Sequence, residues 1–110
     1  MMPSSVARIL RKLPRENAFY FFTSIGNYIG ENAASLEEFV KKIREVNSKS
    51  LEFHFYRGDF EKWTAEVLED GELAEEIKNL KKLKSFGDAL RGQLYLVVSE
   101  RFEKLKSEFG

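Results

Sequence analysis

The sequence predicts a predominantly α-helical single domain, a bundle of five or six helices ending in a long C-terminal one. Three observations predict it. Apolar residues recur at three- and four-residue spacing along most of the chain, capping residues stand where several of those stripes begin, and no connection is long enough to separate domains. With 110 residues, 43% of them apolar and including ten Phe, four Tyr and one Trp, the chain can close one real core.

The first element is a short basic amphipathic helix over residues 4–13. Val6, Ile9, Leu10 and Leu13 form its stripe, Arg8, Arg11 and Lys12 its other face, and Pro14 interrupts it just before Arg15. "ENAFYFFTSIGNYIG" continues a helical spacing through Ala18, Phe22, Ile25 and Ile29, with Gly30 as a left-handed cap, and is expected to be helical. "SLEEFVKKIREV" is a helix opened by the capping box Ser35-x-x-Glu38, with Leu36, Phe39, Val40, Ile43 and Val46 inward.

"LEFHFYRGDFEKW" holds the only His and the only Trp. As a helix it starts near Ser50 and stops at Gly58, with Leu51 and Phe55 inward and His54 and Arg57 at the border of that face. Asp59 then serves as N-cap for a helix carrying Phe60, Trp63, Val67 and Leu68. "LEFHFY" also alternates, and the aromatic "AFYFFT" could be a buried strand beside it, so the alternative fold is α+β with a minor two-stranded element from residues 18–23 and 51–56. The next helix begins near Asp70 and points Leu73, Ile77, Leu80 and Leu83 inward. The last is capped by Asp88 and carries Leu90, Leu94, Val97, Val98, Phe102, Leu105 and Phe109. Gly92 inside it costs about 1 kcal/mol relative to Ala, which suggests a close approach to its backbone.

Composition limits the function. The 18 basic and 18 acidic residues leave no net charge, which argues mildly against a generic nucleic-acid binder. Between Asp59 and Lys78 eight acids face two lysines, a stretch that repels phosphate and suits a protein partner. Without Cys there is no disulfide, thiolate metal site or Cys nucleophile, and one His without an H-E-x-x-H or calcium-loop pattern gives no metal site. Gly26 and Gly30 are not followed by the Lys-Ser/Thr of a phosphate loop. No apolar run reaches the ~20 residues of a membrane span and no secretory signal pattern is present, so a cytoplasmic home is expected. Abundant Lys and Glu, a single Gln and no Cys give a thermophile-like composition.

The candidate binding residues are His54, Arg57, Asp59 and Trp63: a titratable base, a cation, a carboxylate and an apolar wall. Each also has a structural explanation, as stripe border, helix-end donor, cap and core residue. Arg8, Arg11, Lys12 and Arg15 are the candidate contacts for a partner or a nucleic acid. No catalytic residue, cofactor or metal is assigned.

The runs "AFYFFTSIGNYIGENAASLEEFVKKI" and "SLEFHFYRGDFEKWTAEVLEDGELAEEI" resemble a family of small archaeal and bacterial proteins classed only as a domain of unknown function. The likeness spans roughly residues 18 to 80 and rests on Ala33 to Phe39, His54, Asp59, Phe60, Trp63, and Asp70 to Ala74. It implies a compact helical domain in which His54 and Trp63 matter, and it brings no activity. The function expected is a non-catalytic interaction or small-ligand-binding module, with a protein partner or self-association through a terminal helix. The alternatives are nucleic-acid association through the basic helix, and an enzyme or anionic-metabolite pocket around His54, Arg57 and Asp59.

Overall fold

The structure, a computed structural model, describes residues 3–109 and the side chains of residues 5–109. Its elements run α1 (Pro3–Leu10), β1 (Phe19–Phe22), β2 (Tyr28–Ala33), α2 (Leu36–Glu45), α3 (Ser48–Arg57), α4 (Asp59–Glu66), α5 (Gly71–Asn79) and α6 (Gly87–Phe109). The fold is predominantly α with a minor sheet, and it ends in the expected long helix.

Local chemistry sets several boundaries as the sequence implies. The Ser35 hydroxyl accepts from the Glu38 N–H at 3.1 Å, and the Glu38 carboxylate accepts in return from Ala34, one residue outside the usual capping box. α3 starts at Ser48 rather than near Ser50, because Asn47 accepts from the Lys49 N–H, and Gly58 closes it as expected at φ 84°, a left-handed cap that glycine adopts without strain. Asp70 caps α5 through the Leu73 N–H.

Residues 18–30 depart from the helical expectation. They form an antiparallel hairpin, Phe19 opposite Ala33 and Phe21 opposite Glu31, with an irregularity between Phe21 and Phe22. Phe19 and Phe21 point into the core while Tyr20 points out. Burying two such rings contributes about 1.5–3 kcal/mol each, and aromatic residues suit a half-buried strand, which together outweigh the three- and four-residue spacing that suggested a helix. Gly30 caps no helix; it lies within β2 at φ 79°, and Gly26 turns the hairpin at φ 81°. The partner of β1 is β2, and residues 51–56, its expected partner in the α+β alternative, lie in α3.

Smaller corrections fall at helix ends and along the last helix. The first helix stops at Leu10 rather than 13, and Leu13 is buried off the helix with its N–H donated to the Ala34 carbonyl. The helix from Asp70 ends at Asn79 and tightens into a 3-10 turn, which leaves Leu83 exposed. Asp88 is fully exposed, and the Gly87 N–H is met instead by the Glu52 carboxylate at 2.7 Å. Nothing stands within 4 Å of where a Cβ on Gly92 would lie, so no close approach requires that glycine. Phe109 is exposed as well.

α6 is the spine, lying against α1, α2, α3 and α5 through Leu90, Leu94, Val98 and Leu105. At one side of it the rings of Phe19, Phe21, Phe39, Phe60 and Trp63 form a continuous aromatic cluster in edge, tilted and stacked contacts. That cluster fixes β1 against α2 and α4, and its Phe19 ring reaches the candidate site.

Candidate functional site

His54 stands on α3 one turn before its end, where the helix faces β1. Its ring is only 4% exposed and lies edge-on to Phe19 at 4.8 Å and Phe53 at 4.9 Å. Nε2 accepts from the Phe22 N–H at 2.8 Å, so the proton is on Nδ1, which donates to Asp59 Oδ2 at 2.8 Å. Burial holds the His54 pKa below its usual 6.5; the Asp59 carboxylate opposes that shift, and Arg57 adds to it. The bond from Phe22 acts in the same direction, since a protonated Nε2 would set donor against donor.

Gly58 makes this arrangement possible. Its left-handed turn ends α3 and starts α4 at once, so Asp59 folds back toward His54, five residues earlier. Asp59 is therefore not the expected N-cap: no side chain caps α4, and its carboxylate serves His54 and Arg57 instead. Arg57 is about half exposed, with its guanidinium 4.8 Å above the Phe53 ring and Nε 3.4 Å from Asp59 Oδ2, an ion pair rather than a good hydrogen bond.

These three side chains meet at the edge of a cleft of about 400 Å³ between the hairpin and α3. Its walls are apolar: Phe19 and Phe22 from β1, Ile25 from the turn, and Phe53 from α3. Asp59 Oδ1 and both terminal nitrogens of Arg57 have no partner among the described residues, whereas both nitrogens of His54 do. An apolar cleft edged by a few underused polar groups is the usual form of a small-molecule site.

Of the four candidate binding residues the structure brings three together. Trp63 lies behind Phe19, outside the cleft, and its Nε1–H is spent on the Asn17 carbonyl at 2.9 Å. The basic N-terminal residues are largely occupied. Arg8 pairs with Glu69 at 2.6 Å, Arg11 donates to the Arg8 and Val67 carbonyls, and Lys12 pairs with Glu38. Only the Arg15 side chain makes no ion pair or hydrogen bond among the described residues, and no three His, Asp or Glu side chains among them gather as a metal site.

The helical expectation for residues 16–30 hides the hairpin half of the cleft, and the α+β alternative holds β1 but not its turn or its partner β2. The alternation Phe19-Tyr20-Phe21 was the available signal. Sequence reasoning also missed Arg101, buried with Asp70. Arg101 falls between Val98 and Leu105 on the inward stripe of α6, which demanded an acidic partner inside.

A model of a family of unknown function, DUF5752, matches residues 14–108. No curated protein matches the chain, and no solved structure does.

Proposed function

We propose, from the premise that the chain belongs to the DUF5752 family of unknown function, that the protein is a small-ligand-binding module and that its ligand occupies the cleft between the hairpin and α3. The carrying observation is the contrast at the edge of that cleft. His54, the one residue suited to move protons near neutral pH, is bonded at both ring nitrogens, while Asp59 and Arg57 keep unused acceptor and donor atoms. That division supports holding a molecule over transforming one. Guanidinium unfolding followed by Trp63 fluorescence tests the reading against a panel of small apolar, zwitterionic and anionic compounds. A cleft ligand at ~100 times its Kd raises stability by about 2.7 kcal/mol, and Phe53→Asp removes the rise. A panel that leaves the unfolding curve unmoved overturns it.

A protein partner is the second reading, supported by Tyr56 and Phe86, which stack at 5.1 Å on the surface with Phe86 61% exposed. Nucleic-acid association through Arg8, Arg11, Lys12 and Arg15 has weaker support, since three of the four charges are engaged within the chain.

A further inference from the structure

The edge of the cleft is electrically balanced. Arg57 brings one positive charge and Asp59 one negative. His54 is neutral when its Nε2 accepts from Phe22, and no other carboxylate, lysine or arginine lines the space. The unused atoms lie on neighbouring groups: the Arg57 terminal nitrogens as donors, and Asp59 Oδ1 as acceptor. A simple anion seated on Arg57 would lie beside the Asp59 carboxylate, and a simple cation seated on Asp59 would lie beside the guanidinium. Each gains one attraction and meets one repulsion. A molecule that carries both charges on adjacent atoms, with an apolar body, gains twice and meets neither.

We propose that the cleft binds a free hydrophobic α-amino acid, with its carboxylate on the Arg57 guanidinium, its ammonium on Asp59 Oδ1, and its side chain among Phe22, Ile25 and Phe53. This rests on the cleft being a small-ligand site. Its volume of about 400 Å³ is near the lower end of small-molecule pockets, which suits one amino acid better than a nucleotide. Aromatic walls favour an aromatic or large aliphatic side chain. Arg57 is free to rotate its fork toward a carboxylate, because its terminal nitrogens donate no hydrogen bond among the described residues and the guanidinium rests on Phe53. A residue at a chain terminus would offer one of the two charges and an amide in place of the other.

The test is isothermal titration of the full chain with L-phenylalanine and L-leucine, with 3-phenylpropionate and phenethylamine, with N-acetyl-L-phenylalanine and L-phenylalaninamide, and with glycine. The expected result is that phenylalanine binds about tenfold or more tightly than either singly charged analogue, and that glycine does not bind detectably. Arg57→Gln then erases the advantage over phenethylamine. Asp59→Asn, which keeps an oxygen to accept from His54, erases the advantage over phenylpropionate. Equal binding of phenylalanine and its singly charged analogues overturns the amino-acid inference and leaves the small-ligand cleft standing. Tighter binding of the acetylated or amidated compound overturns it in favour of a chain terminus. If none of these compounds binds while others in the broader panel do, the amino-acid class alone falls. If nothing in either set binds, the cleft reading falls with it.

Discussion

Asp70 and Asp59 stand at the starts of consecutive helices, α5 and α4, and each carboxylate meets an arginine. The fold completes one and leaves the other open. Asp70 is 2% exposed; its Oδ2 accepts from Arg101 Nε at 2.9 Å, and its Oδ1 accepts from a second guanidinium nitrogen at 3.1 Å and from the Leu73 N–H. Glu72 takes a further Arg101 nitrogen at 3.2 Å. Asp59 uses one oxygen for both of its partners, leaves the other unmatched, and opens on a cleft. A charge pair closed on every side serves the folded state, whereas one left incomplete at a cavity is available to something else.

The largest break in that comparison comes at the closed pair. Arg101→Ala strands a buried carboxylate, and guanidinium unfolding followed by Trp63 fluorescence is expected to show a loss of about 3–5 kcal/mol. A loss near 1 kcal/mol would mean that the Asp70 carboxylate finds other partners, and that completeness does not separate the two sites.

Next in size is His54, the hinge between the open pair and β1. His54→Gln leaves the Phe22 N–H or Asp59 without its partner, for a loss of about 1–3 kcal/mol at pH 7. The wild type carries a pH signature that the variant lacks. Because the folded-state pKa lies below 6.5, the unfolded chain binds the extra proton first as acid is added. The stability contributed by neutral His54 is complete above 6.5 and is lost as pH falls from there through the folded value. The lowered pKa of Glu38 acts below 4.5, well apart from this window. Unfolding midpoints between pH 7.5 and 5.5 should slope for the wild type and flatten for the variant; parallel slopes would show that His54 is not held neutral.

How far the two sites could be read from sequence follows from how local their causes are. α2, the boundaries at Gly58 and Asp70, and the stripe of α6 depend on neighbours a few residues away, and spacing reveals them. The hairpin depends on Phe19 and Phe21 finding Phe39 and Phe60 across the chain, which no window around residue 20 contains. Asp59 shows the same limit. An aspartate after a glycine at a helix start is a cap by every local rule, and only the left-handed turn at Gly58, which brings it back onto His54, gives it another use. Grouping His54, Arg57 and Asp59 was within reach because one turn holds all three. Their cleft was not, since its other wall is the hairpin.

The smallest expected effect sharpens the comparison most. Arg57→Ala mirrors Arg101→Ala in chemistry, since each removes the guanidinium facing an aspartate. At the open site, though, Arg57 is half exposed, its ion pair is long and solvent-screened, and Asp59 keeps its bond from His54. The change in unfolding free energy should stay within about 0.5 kcal/mol. Two arginine-to-alanine substitutions differing several-fold in cost would separate a guanidinium that holds the fold from one the fold can spare. If Arg57→Ala instead costs as much as Arg101→Ala, the open pair is a structural element in its own right, and its unused atoms lose their meaning as a place for a ligand.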